Sequence, residues 1–206
     1  MISRAILLAA LGLVSLPAAP VRAEREVFPC TEQALITNGA GLGRFLFRFD
    51  GTTALRDELV TAAWLDVACG WVSEDVLSVR VAPLDRAWSS ASVTWTSPWH
   101  DAGGDLARAF ITAEDVRSAT VRLNVTEWVR SHFAGDVEDY GLLLTVDDGA
   151  RGGFTPGERA LFGDLPDASL IVEYRDLTGQ GIEGGPRAFL ARRQARIASE
   201  RPDRSK

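Results

Sequence analysis

The sequence predicts an all-β protein, an antiparallel β-sandwich interrupted by one short helix. Two observations carry this reading. In Arg44-Phe45-Leu46-Phe47-Arg48-Phe49-Asp50 a phenylalanine falls at every second position, the period of a strand with one buried face. Seven or more runs of this length, rich in β-branched and aromatic residues, are separated by glycine, proline and aspartate. Only one segment has helical spacing. Short strands followed by turns, without long helices between them, point to packed antiparallel sheets.

Taken in order, residues 1–23 read as an export signal. Arg4 is the positive start, residues 5–16 are apolar but too short to span a bilayer, and Val21-Arg22-Ala23 is a small-residue cleavage site. Residues 24–43 are expected to be irregular and to end in the glycine-rich turn 38–43. No helix follows that turn, so it is not a phosphate loop. The first strand, 44–50, sends its phenylalanines inward and Arg44 and Arg48 outward. The second, 60–67, buries Ala63, Leu65 and Val67 and turns Trp64 and Asp66 out. The third, 76–81, buries Leu77, Val79 and Val81 and turns Ser78 and Arg80 out. Between Trp88 and Trp95 the small and β-branched residues predict a loop leading into a fourth strand around Val93 and Trp95. Trp88, Trp95 and Trp128 are assigned to the core, and Trp99, after Pro98, to a loop. The fifth strand, 121–125, turns Arg122 out and runs into a helix with Thr126 as its cap and Val129 and Phe133 four apart. Strands at 141–146 and 169–174 complete the domain, which spans 24–178.

Composition narrows function. Residues 24–178 hold 13 arginines against 25 acidic residues, a balance that argues against nucleic-acid binding. Residues 179–206 reverse it, with seven basic residues against three acidic, and read as a flexible basic tail. Lys206 is the only lysine, a skew that suggests a GC-rich bacterial genome. Cys30 and Cys69, the only cysteines, form an even pair in a chain read as secreted or periplasmic, and so predict one disulfide.

The order of motifs resembles the DNRLRE, or disaggregatase-related, domain family. The resemblance rests on 45–50, Ala63-Trp64-Leu65, Trp88 with Val93-Thr94-Trp95, 123–129, 140–144 and 168–174, and covers residues 27–175. It implies a sandwich of jelly-roll type similar to carbohydrate-binding modules, found at cell surfaces and beside polysaccharide-degrading enzymes. Some such modules are grouped with those that bind acidic glycans.

No nucleophile elbow, zinc-ligand spacing or phosphate loop is present, and the histidines are only His100 and His132. A catalytic role is therefore not expected. Glu138-Asp139 and Asp147-Asp148 read as solvated turns. Asp50, Asp147 and Asp148 have the hard oxygens calcium uses but no calcium-loop spacing, so neither cofactor nor metal is expected. Binding has better material. Arg44, Arg48, Arg80 and Arg122 can fork onto glycan carboxylates while Trp64, with Trp99 as a second aromatic, offers a platform for a sugar ring. That patch forms if their strands are neighbours in one sheet. The expected partner is thus a polysaccharide, with acidic glycans included. A covered sheet face would favour a structural or adhesive envelope protein instead. Two convergent carboxylates in a cleft would favour a small polysaccharide-active enzyme.

Overall fold

The computed structural model describes residues 23–55, 59–70, 77–106, 112–116, 119–147 and 152–175. The basic tail, and the export signal apart from Ala23, lie outside the described residues. Nine strands are present among the described residues: β1 (Ala23–Pro29), β2 (Glu32–Thr37), β3 (Gly43–Arg48), β4 (Leu59–Ala68), β5 (Leu77–Pro83), β6 (Thr112–Val116), β7 (Thr120–Asn124), β8 (Leu142–Val146) and β9 (Ala168–Arg175). Two α-helices accompany them, α1 (Thr126–Ala134) and α2 (Pro156–Ala160).

The strands form two antiparallel sheets, one of four in the order β1-β9-β4-β7 and one of five in the order β2-β3-β8-β5-β6. Setting aside the edge strand β2, the chain winds between two four-stranded layers in jelly-roll order. Between the layers lie Phe45 and Phe47 of β3, Leu65 and Val67 of β4, Val79 and Val81 of β5, Leu142 and Leu144 of β8, and Leu170 and Val172 of β9, all fully or almost fully buried. Each such side chain contributes about 1.5–3 kcal/mol when taken from water. The predicted inward and outward parities of β3, β4 and β5 are the observed ones. Helix α1 adds Trp128, Val129 and Phe133 to the same core.

Several elements differ from the expectation. Residues 24–37 are ordered into β1 and β2 rather than irregular. Strand β1 lies at a sheet edge and buries only Phe28, so its charged residues 24–26 mask the pattern. Strand β6 was not predicted; its residues Ala113, Glu114 and Asp115 are exposed. No strand forms around Val93 and Trp95. Residues 85–105 are a folded loop whose aromatic side chains pack down on a sheet instead of entering a ladder. Helix α2 is a second helix, started by a capping box between Thr155 and Glu158 with Pro156 in the first turn. Thr126 does not cap α1. Val125 holds that position, while the Thr126 hydroxyl accepts from the Ala63 N–H at 2.9 Å and ties the helix to β4.

No disulfide joins Cys30 to Cys69, which corrects the predicted bond. Strands β1 and β4 pair with opposite edges of β9: Cys30 donates its N–H to Ala168 on one side, and Cys69 lies two residues beyond Val67, the partner of Ala168 on the other. Two strand spacings separate them by about 10 Å, whereas a disulfide requires Cα atoms within about 7 Å.

One glycine is required by close approach. Gly141 enters β8 at φ +93°, and a Cβ there would collide with the Phe47 carbonyl oxygen.

Candidate ligand-binding surfaces

The predicted patch of arginines and tryptophan is divided between the two sheets. Arg44, Arg48 and Arg80 stand on the outer face of the five-stranded sheet, and Trp64 and Arg122 on the outer face of the other. They do not form one surface.

Over the five-stranded sheet, the loop 85–105 closes a second small core of Ala34, Ile36, Leu46, Leu84, Trp88, Trp99 and Leu143. Arginines fasten it. Arg48 pairs with its cross-strand neighbour Glu32 at 2.6 Å, donates to the Trp88 carbonyl at 2.5 Å, and lies over the Trp88 ring. Glu32 in turn accepts from the Ser90 N–H, which, with burial opposing it and Arg48 assisting, holds its carboxyl below the usual range. Arg44 donates to the Gly103 carbonyl at 2.6 Å and to Gly152, beneath the Trp95 ring. Burial, with Arg80 nearby, lowers the Arg44 pKa. Trp88 donates its indole N–H to the Tyr140 carbonyl at 2.7 Å. Asp105 anchors the far end of the loop. Burial works against its charge, but N–H donation from Asp101 and His100 and the nearby Arg86 leave its pKa lowered. Trp99 is buried and donates to the Thr94 carbonyl, so it offers no open ring. Trp88 is core, as predicted, but of this outer cluster, and Trp95 is half-buried against it. Arg80 faces Thr145 across the ladder and lies 3.8 Å from Asp147. The Thr145 hydroxyl and the Arg80 Nε have no hydrogen-bond partner among the described residues.

The outer face of the four-stranded sheet is more open. Val27, Ile171, Trp64 and Asn124 form one row across all four strands, and Pro29, Ser169, Asp66 and Arg122 the next. Ile171 is sealed at 4% exposure, whereas Val27 remains 53% exposed and Trp64 half-buried. The Arg122 side chain, also 53% exposed, lies over the Trp64 ring at 5.9 Å and grips Asp66 with both Nε and a terminal nitrogen, at 2.7 and 2.6 Å. That bidentate pair raises the Arg122 pKa.

A third feature was not predicted. Where the chain leaves β3 and enters β8, a cavity of about 520 Å³ is bounded by Asp50 and Thr52 on one side and by His132, Val137, Glu138 and Asp139 on the other. Val137 and Glu138 also border a neighbouring cavity of about 410 Å³, which Trp128 lines. The His132 Nδ1 lies 3.3 Å from the Val137 carbonyl, an acceptor only, so this nitrogen carries the proton. Its Nε2 is left without a partner among the described residues, as is the Trp128 Nε1. Burial pushes the Asp139 carboxyl above its ordinary range, with Asp50 adding to the shift. His132, the Gly141 N–H and Arg48 oppose it. Glu138 accepts from the Tyr140 hydroxyl. Glu138-Asp139 was expected to be a solvated turn; Glu138 is exposed but Asp139 is half-buried at this cavity, and nothing local shows that a helix end and two strand ends bring these residues together.

Asp147 lies at the opposite end of β8 from this cavity, and Asp148 falls outside the described residues. Among the described residues no three His, Cys, Asp or Glu side chains are grouped to hold a metal. No described helix is long and apolar enough to cross a membrane.

Fold and surfaces together define an antiparallel jelly-roll sandwich with one sealed sheet face, one open sheet face and an acidic end cavity. No protein-family model and no curated protein matches the chain. The DNRLRE resemblance rests on the sequence motifs themselves.

Proposed function

We propose that the protein is an exported, non-catalytic polysaccharide-binding module that meets its glycan on the outer face of the four-stranded sheet. The observation that supports this is the row Val27–Ile171–Trp64, an apolar strip across three strands beside the polar row Ser169–Asp66–Arg122. A sugar chain needs this pairing of an apolar platform for ring faces with adjacent groups that fix hydroxyls. A neutral glycan fits better than an acidic one. The guanidinium forks of Arg44, Arg48 and Arg122 are already held by carbonyls or carboxylates of the protein, which leaves them poor partners for a uronate. Export rests on residues 1–23.

Affinity electrophoresis against neutral and acidic polysaccharides tests this reading. Retardation by a neutral polysaccharide is expected, with a dissociation constant raised about tenfold in Trp64→Ala, as for a central aromatic contact. Retardation by none, or retardation that Trp64→Ala leaves unchanged, would overturn it.

A second reading, a structural envelope protein without a sugar site, draws on the other sheet. Its outer face is sealed by the loop 85–105, as expected of a sandwich built for packing and not for ligand capture.

A further inference from the structure

The end cavity is lined by more carboxylate oxygens than the hydrogen bonds from Tyr140 to Glu138 and from Gly141 to Asp139 occupy. Asp50, Glu138 and Asp139 bring three carboxylates to it, and none of them makes an ion pair with an arginine among the described residues. Arg48 is close enough to lower the Asp139 pKa, but its fork is held by Glu32 and Trp88. His132 is the independent sign of a ligand. It is 6% exposed, lines the cavity, and donates its Nδ1–H to Val137, which leaves its Nε2 without a partner among the described residues. A buried polar nitrogen without a partner is costly unless something supplies one. The carboxylates and His132 are not grouped tightly enough to coordinate a metal ion. The missing partner is therefore a larger cation that carries several N–H or O–H groups.

We propose that this cavity is a second binding site, distinct from the sheet face, for a protonated primary amine on a small hydroxylated body, with an amino-sugar unit as the ligand class. The ammonium donates to one of the carboxylates, Asp50 or Asp139, and other polar groups of the ligand reach the second carboxylate and the His132 ring. Hydroxyls of the same ligand reach Glu138 and Thr52, and a volume of about 520 Å³ accommodates one or two sugar rings.

Amide-resolved NMR titration of the full chain tests this, with glucosamine, N-acetylglucosamine and glucuronate as probes at a pH where the glucosamine amine is protonated. Glucosamine is expected to give saturable shifts confined to residues 50–52 and 132–139. N-acetylglucosamine, which keeps the ring but loses the charge, should bind about tenfold more weakly, the scale of one charge-assisted contact, and glucuronate should not bind. Asp50→Asn and Asp139→Asn should each weaken glucosamine about tenfold while the protein still melts cooperatively. The amide introduced by Asp139→Asn retains an oxygen for the Gly141 N–H, and Asp50 is exposed, so at least one variant reports from a folded chain. The proposal is overturned by the absence of saturable glucosamine shifts, by equal binding of the acetylated sugar, or by unchanged affinity in both variants. Shifts abolished by Trp64→Ala would place the ligand on the sheet face and overturn it equally, whereas failure of polysaccharide retardation alone would leave this site standing.

Discussion

Asp139 shows how one side chain can lower stability where it serves a site. Burial raises its pKa, so between the ordinary carboxylate value near 4 and the raised value the folded chain holds a proton that the unfolded chain has released. Stability therefore falls as pH rises through that window and stays lower at neutral pH. Asp139→Asn removes the cost and keeps the bond to Gly141. Thermal melts should show Tm raised at pH 7 by about 2–4 °C, with the gain gone by about pH 3. A lower Tm at pH 7 would mean that the carboxylate stabilises the fold. At this scale the sequence was legible in part. The outward direction of Arg44, Arg48, Arg80 and Arg122 follows from alternation with their buried neighbours. Their partners do not, since Glu32, Gly103 and Asp66 reach them only through strand pairing and loop folding.

The loop 85–105 behaves as an element in its own right. It lacks a ladder, yet Trp88 and Trp99 give the outer face of the five-stranded sheet a core, and Arg48, Glu32 and Asp105 fasten it. Trp88→Ala removes the largest kind of side chain from that cluster together with its bond to Tyr140, and should cost about 3–5 kcal/mol in a urea titration. A loss below about 1 kcal/mol would show that the loop rests on the sheet without stabilising it. The tryptophan segment looked like a strand because small, β-branched and aromatic residues suit any half-buried extended chain. Composition does not distinguish a strand from a loop that packs side chains onto a sheet. Strands β1 and β2 failed to register for the converse reason. One buries a single side chain, and the other directs Ala34 and Ile36 to the outer cluster rather than the main core.

The arrangement of the whole molecule separates residues that local reading placed together. With β9 between β1 and β4, Cys30 and Cys69 remain thiols, and burial pushes both thiol pKa values up. A thiol-reactive dye should therefore titrate two thiols per chain in denaturant and react slowly with the native protein. Reductant should leave Tm unchanged. A fall in Tm on reduction would reveal a bond and a different pairing of the strands. The same interleaving sends Arg44, Arg48 and Arg80 to one face and Trp64 and Arg122 to the other. It also brings Asp50, His132 and Asp139, up to 89 residues apart in the chain, to one cavity.

The sequence alone determined that this is an all-β sandwich, which faces of β3, β4, β5 and β7 are buried, and where α1 lies. Those features follow from periodicity within a few residues, where a side chain's direction is set by its own backbone. Tertiary structure decided which strands are neighbours, what covers each sheet, whether the cysteines meet and where a cavity opens. Strand pairing joins segments far apart in sequence, and a two-residue period is the same whichever strand lies alongside.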